Sequence, residues 1–275
     1  MFESNKILND IAQPLVMGIL NVTPDSFSDG GKFVSFENAL AQVKQMIDDG
    51  VDIIDIGGES TRPGAVDVSE EDELGRVIPL LKAIKENYDI KVSIDTSKSA
   101  VMAQAIEHGA DLINDVRALQ NKGCLAALAN TNVAVCLMHM QGLPRTMQEN
   151  PQYTNLIDDI KTFFKERIQV CEEAGISRSR IILDPGFGFG KTLEQNYQLL
   201  AQLDKFNDLG LPLLSGTSRK SMIGNLLNRK VDERLAGSLT TAIIAAQKNA
   251  KIIRVHDVKE TVDALKVLSA TTKYL

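Results

Sequence analysis

The sequence predicts a parallel α/β fold closed into a (β/α)8 TIM barrel, and three observations carry that expectation. Eight short aliphatic runs of strand length recur along 275 residues, segments of helical period lie between most of them, and a glycine-bearing helix-to-strand junction repeats. No composition break or Pro/Ser-rich linker divides the chain, so a single domain over residues 1–275 is expected. An open doubly wound sheet is the alternative arrangement of the same units.

Strands are expected at Leu15–Leu20, Asp52–Ile56, Ile90–Ile94, Asp111–Ile113, Asn132–Met138, Arg180–Leu183, Pro212–Leu214 and Lys251–Val255. Between the first two, Ser35–Asp49 places Ala39, Val43, Met46 and Ile47 on one helical face, with Ser35 as its N-cap. The junction reads Asp49-Gly50-Val51-Asp52, then His108-Gly109-Ala110-Asp111, then more loosely Glu173-Ala174-Gly175-Ile176. Glycine there suits the left-handed helix C-cap. Strands three, four and five follow one another closely, so the helices between them are expected to be short or irregular.

Hydrophobic residues make up 44% of the chain and charged residues 24%, a composition able to bury a substantial core. The net charge of -6 argues against nucleic-acid or anionic-membrane binding, which needs a surplus of Lys and Arg on one face. Any bound anion must be captured locally. Cys124, Cys136 and Cys171 are odd in number and form no CxxC pair, so neither a disulfide framework nor a zinc site is indicated. Met1–Asp10 shows no apolar signal core and no run reaches membrane-spanning length, so a cytoplasmic protein is expected.

In a barrel of this kind, residues just past each strand's carboxyl end line a shared mouth where chemistry occurs. Strand one ends in Asn21, strand two in Asp55, strand three in Asp95, strand four in Asn114 and strand six in Asp184. Strand seven runs into Ser218-Arg219-Lys220, and strand eight carries Arg254 and His256 before Asp257. Any one Asp or Asn after a strand is as often a turn former or helix cap, the reading given to Asp257. The bland reading weakens when so many strands present polar groups to one face, because desolvating them without a ligand is costly.

The connections Val22–Val34 and Gly57–Val68 exceed the usual two to six residues. Both are rich in glycine and hydroxyl groups, which suits lids closing over substrate, although plain solvated loops share that composition. Asp184-Pro185-Gly186-Phe187-Gly188-Phe189-Gly190-Lys191-Thr192 ends like a nucleotide-binding loop, but Pro185 stands where a P-loop needs glycine, and the glycine spacing is not that of a dinucleotide fingerprint. Closely spaced glycines instead let backbone approach a flat ligand, with Phe187 or Phe189 as an apolar wall, although core is the commoner fate of a phenylalanine.

Anion capture is better placed at strands seven and eight. Ser218-Arg219-Lys220-Ser221 precedes Met222 and Ile223 as the first turn of a short helix, whose free amides favour anions. Arg254 and His256 alternate, so they share one face of strand eight and both can donate to phosphate oxygens. His139 and His108 lack such neighbours and read as ordinary histidines.

Taken in order, these segments resemble the dihydropteroate synthase family of pterin-binding enzymes, from about Met17 to the final helix. The carrying motifs are Gly18-Ile19-Leu20-Asn21-Val22-Thr23-Pro24-Asp25-Ser26-Phe27-Ser28-Asp29-Gly30, Asp55-Ile56-Gly57-Gly58-Glu59-Ser60-Thr61-Arg62-Pro63-Gly64, Ser93-Ile94-Asp95-Thr96, Ile113-Asn114-Asp115, Asp184-Pro185-Gly186-Phe187-Gly188-Phe189, Ser218-Arg219-Lys220-Ser221 and Arg254-Val255-His256-Asp257. Ser215 and Thr217 depart from the family pattern in strand seven, which touches packing more than chemistry.

The resemblance implies condensation of 4-aminobenzoate with (7,8-dihydropterin-6-yl)methyl diphosphate to give 7,8-dihydropteroate and diphosphate, dependence on Mg2+, inhibition by sulfonamides, and a homodimer. It implies pterin acceptors at Asp95, Asn114 and Asp184, a donor to the ring carbonyl at Lys220, Arg254 over the ring face, and Met138, Gly188, Phe189 and Val255 against the substrate. Diphosphate is expected at Asn21, Thr61, Arg62, Arg254 and His256, with the Asn21 amide oxygen also reaching the metal. Asp25 and Asp55 are expected to support loop or metal geometry. The 4-aminobenzoate site is expected between Phe27, Pro63 and Ser218. Asp95, Lys220, Arg254 and His256 are the expected catalytic set, on an SN1-like path. Rival readings are a pterin-dependent methyltransferase, a Schiff-base lyase using Lys220, and a pterin-binding barrel without turnover.

Overall fold

The computed structural model describes residues 13–22, 31–59, 67–142, 147, 151–272 and 274, with the side chains of 31–35 and 272 left aside. Eight parallel strands close on themselves in sequence order: β1 (Leu15–Asn21), β2 (Ile53–Gly57), β3 (Lys91–Asp95), β4 (Leu112–Asp115), β5 (Ala134–Met138), β6 (Ile181–Asp184), β7 (Leu213–Ser215) and β8 (Ala250–Val255). Pairing of β1 with β8, Met17 opposite Arg254, completes the barrel. The open doubly wound alternative is thereby excluded. Every expected strand is present, with bounds shifted by one or two residues.

The helices are α1 (Gly31–Asp48), α2 (Glu70–Asn87), α3 (Ser99–Glu107), α4 (Cys124–Ala129), α5 (Leu156–Glu173), α6 (Leu193–Ala201), α7 (Ser221–Leu227), α8 (Leu235–Gln247) and α9 (Val258–Thr272). The crowding of β3, β4 and β5 is resolved by a nine-residue α3 and a six-residue α4. The expected cap at Ser35 is corrected: α1 already runs from Gly31, so Ser35 lies inside the helix.

Alternation along the strands divides the apolar residues between two compartments. Met17, Ile53, Leu112, Ala134, Cys136, Ile182, Leu214 and Ile252 fill the barrel's interior, while Val16, Ile54, Val92, Ile113, Val135 and Leu183 face the helices. All three cysteines are buried and free. The glycine junctions form as the repeat requires, with Gly50 at φ +90° and Gly109 at φ +88°. The aspartates that follow have a task the repeat did not announce. Asp52 accepts the Val16 N–H at 2.8 Å and Asp111 accepts the Val92 N–H at 2.8 Å, each holding the start of the preceding strand. Among the described residues no helix is long and apolar enough to cross a membrane.

Candidate active site

With the lower barrel packed by apolar side chains, the inward positions nearest the carboxyl ends are polar. On β8 the parity that puts Ile252 inside also puts Arg254 inside, two residues nearer the mouth. Its Nε donates to Asp55 Oδ2 at 2.6 Å and its Nη2 to Asp95 Oδ2 at 2.8 Å. One guanidinium thus ties β8 to β2 and β3. Asn114 Nδ2 reaches the same Asp55 oxygen at 3.4 Å, adding β4. Burial works to lower the Arg254 pKa, but Asp55 and Asp95 hold it above the usual arginine range. Burial likewise pushes the Asp95 carboxyl up to about 7, with Arg254 pulling it back.

Across the mouth, β6 ends in Asp184, whose Oδ1 accepts the Gly186 N–H at 2.8 Å. Burial raises its carboxyl, and the Lys220 ammonium is the largest opposing influence. Lys220, at the N-cap of α7, donates to the Phe187 carbonyl and stands 4.7 Å above the Phe189 ring. Burial draws its pKa down to about 8 against the pull of Asp184. Between the two offered phenylalanines the fold decides: Phe187 is fully buried core, and Phe189 is the wall beside the lysine. Met138 is buried at the end of β5, opposite Asp184 in register.

Ser218 and His256 form a pair. The Ser218 hydroxyl oxygen accepts the His256 backbone N–H at 3.2 Å and lies 3.1 Å from His256 Nδ1, so one hydroxyl holds both the backbone and the ring of His256. Arg219, forced to φ +57°, turns away from the mouth into an ion pair with Asp257. Asp257, read from sequence as a cap, therefore spends its carboxylate on the loop that presents Ser218 and Lys220. Asn21 closes β1 opposite Gly57, its Oδ1 3.5 Å from where a side chain on Gly57 would begin. Gly188, at φ +80°, and Val255, at the end of β8, complete the expected positions among the described residues. Asp25, Phe27, Thr61, Arg62 and Pro63 lie outside those residues.

Asp55 is the functional residue that sequence reasoning undervalued. It is the counter-ion of Arg254, and its other oxygen, Oδ1, is buried without a hydrogen-bond partner among the described residues. The signal was its parity, since it shares the inward face of β2 with Ile53. Lys98 was missed altogether. Its ammonium joins Glu59 at 2.6 Å, just past β2, to the fully buried Glu73 of α2. The Ser215 hydroxyl has no hydrogen-bond partner among the described residues, and Thr217 bonds Thr241 at 2.8 Å, so the departures in β7 are matters of packing.

A closed parallel barrel whose carboxyl-end mouth gathers acids, an amide and cations is the architecture of a barrel enzyme. The model of the family described as pterin binding enzyme matches residues 17–256. A dihydropteroate synthase of Escherichia coli (strain K12) is 55% identical over 262 residues, spanning 95% of this chain and 93% of the relative. The solved Yersinia pestis dihydropteroate synthase with a sulfonamide drug complex superposes with a TM-score of 0.92 at 53% identity, covering 97% of this chain and 96% of that one. The Xanthomonas albilineans dihydropteroate synthase with 4-aminobenzoic acid gives 0.90 at 47% identity, covering 95% and 94%. The chain belongs to the dihydropteroate synthase family of pterin-binding enzymes.

Proposed function

We propose that the chain, working as one barrel domain, condenses (7,8-dihydropterin-6-yl)methyl diphosphate with 4-aminobenzoate to give 7,8-dihydropteroate and diphosphate. The observation that carries this reading is the polar ring at the mouth, with Asp95, Asn114 and Asp184 as acceptors and Lys220 and Arg254 as donors around a space walled by Phe189 and Met138. A pterin edge offers N–H donors and one carbonyl acceptor, the complement of that set. Gly188 lies against Lys220, whose Cδ is 3.4 Å from where a side chain there would begin, whereas the Val255 side chain packs outward with the helices and leaves only its backbone for the substrate.

In the reaction the methylene C–O bond breaks, diphosphate leaves with the electron pair, the amine nitrogen bonds to the methylene carbon, and the surplus proton passes to solvent or diphosphate. A neutral arylamine is a weak nucleophile, so stabilising the departing anion matters most and an SN1-like path is favoured. Arg254 and His256 are assigned as donors to the diphosphate, and Asn21, Thr61 and Arg62 are assigned with them from the family resemblance. Ser218 and the loop residues Phe27 and Pro63 are assigned to 4-aminobenzoate, which the sulfonamide and 4-aminobenzoic acid complexes of the relatives support as a substrate class. Mg2+ fits this mouth as a partner of substrate rather than of a cage: among the described residues no cluster of three or more His, Cys, Asp or Glu is present, and the Asn21 amide oxygen, at the end of β1 beside Gly57, is the kind of oxygen ligand the ion takes. Bound there with diphosphate, the metal would neutralise leaving-group charge.

Apolar side chains support a homodimer through α7 and α8. Leu226 is 57% exposed and Val231 50%, with Leu227 and Leu235 alongside. The cytoplasm suits a soluble biosynthetic enzyme of this class.

Incubating both substrates with Mg2+, with and without a chelator, and measuring dihydropteroate and diphosphate tests the reaction. Pterin binding without diphosphate release would identify a non-catalytic barrel, and borohydride trapping of Lys220 would identify a lyase. Positional isotope exchange within the diphosphate, without 4-aminobenzoate, supports the SN1-like path; its absence opposes it.

A further inference from the structure

The Gly190-Lys191-Thr192 triplet, which imitates a nucleotide-binding loop, is turned inside out. Thr192 caps α6 in a capping box with Gln195, and Lys191 is only 2% exposed. Its ammonium has three protons and three partners: the Gly186 carbonyl at 2.9 Å, the Phe189 carbonyl at 3.0 Å and His139 Nδ1 at 3.1 Å. Burial draws the lysine down to about 7, so the position is a costly one for a cation. A lysine kept there needs a reason beyond filling space.

The two carbonyls that it holds flank Phe187, whose own carbonyl receives Lys220. Around them the loop is tied by Gly186 N–H to Asp184, Gly188 N–H to Asn196 Oδ1 at 2.7 Å, Phe189 N–H to the Gly186 carbonyl at 3.1 Å, and the Gly190 carbonyl to the Tyr153 hydroxyl at 2.7 Å. Of these ties, only that from Lys191 reaches the Phe189 carbonyl. Gly186 and Gly190 are at φ +74° and +62°, and side chains there would meet the His139 and Gln141 carbonyl oxygens at 1.9 and 2.5 Å. Lys191 therefore fixes the underside of the surface on which Lys220 and Phe189 stand, and His139, accepting at Nδ1, carries its ring proton on Nε2.

We infer that Lys191 is a positioning residue for the pterin ring: without touching substrate, it sets the Phe187 carbonyl and Phe189 ring and through them the Lys220 ammonium. This rests on the pterin site proposed above. A role confined to folding would lower the amount of active enzyme and leave both KM values alone. A positioning role separates them, because the loop borders the ring and not the arylamine.

The test is steady-state kinetics of Lys191→Met, with titration calorimetry of a pterin ring lacking diphosphate. Loss of charge-assisted bonds that place the ring predicts about a tenfold weaker pterin affinity and a similar rise in the pterin diphosphate KM, with the 4-aminobenzoate KM within about twofold. Lys191→Gln, which keeps one N–H pair, should fall between. In the wild-type protein the 15N resonance of the buried ammonium should move when the pterin ring is added and stay put with 4-aminobenzoate alone. That measurement decides the matter if neither variant folds. Unchanged pterin affinity in folded Lys191→Met, or a resonance indifferent to the pterin, would overturn the inference. A wild-type enzyme that makes no dihydropteroate would instead overturn the proposed function.

Discussion

Asp95 must accept and Lys220 must donate for a pterin ring to be held between them, so pH selects the competent enzyme from both sides. Burial places the Asp95 carboxyl at about 7 and the Lys220 ammonium at about 8. Asp95 ionises as pH rises through the lower value, and Lys220 loses its proton as pH rises through the upper one. The competent form is therefore confined to a window centred near pH 7.5. With those two values about 60% of molecules carry both correct states at the centre, and about one tenth do so at pH 6 or pH 9. The expected profile of kcat/KM for the pterin diphosphate is a bell, falling about sixfold from its centre to pH 6 and to pH 9, with limiting slopes of one. Initial rates at saturating 4-aminobenzoate, in constant-ionic-strength buffers from pH 5.5 to 9.5, give the curve. Asp95→Asn should abolish the acidic limb and Lys220→Gln the alkaline limb, each at a lower plateau. An acidic limb that survives in Asp95→Asn belongs to the substrate's own diphosphate. That result, or a flat wild-type profile, refutes the assignment.

Other perturbations separate scaffold from site. Gly186→Ala places a methyl 1.9 Å from the His139 carbonyl oxygen at φ +74°, and strain plus overpacking should cost about 3–5 kcal/mol, lowering Tm by about 10 °C; a melt within 2 °C of wild type would count against the loop geometry. Asp52→Ala removes the carboxylate under the Val16 N–H at the opposite end of the barrel, so denaturant melts should show a loss of about 1–2 kcal/mol while kcat/KM stays within twofold. Asp55→Ala frees the Arg254 Nε, and kcat/KM should drop about a hundredfold with both proteins folded by circular dichroism, because a buried guanidinium loses half of what aims it. Leu226→Glu with Leu227→Glu should halve the mass seen by sedimentation if α7 lies in a dimer contact, and an unchanged mass would place the contact elsewhere.

How far the sequence could be read follows from what each feature depends on. A parallel barrel strand lies between an interior layer and a shell of helices, so runs such as Ile53–Ile56 remain aliphatic almost without interruption and announce themselves locally. Gly50 and Gly109 are equally local, because a positive φ at a helix end needs no distant partner. The site's strand-end residues were legible for the same reason: Asn21, Asp95, Asn114, Asp184 and Arg254 are found by where an aliphatic run stops. Which of them face one another was not, because Arg254 and Asp55 stand 199 residues apart and meet only when β8 closes against β1. Asp257 and Lys191 mark a harder limit. Each has the residue type expected of its position, a cap before a helix and a lysine after glycine, yet the fold turns one to Arg219 and the other beneath its own loop. Residue type and spacing set what a side chain can do; the closed barrel determines which of its possible partners is within reach. The same division explains the kind of residue that was undervalued or missed. Asp55, Lys98 and Lys191 all act on other side chains or on backbone, and their signatures are contacts between elements far apart in the chain rather than patterns along it.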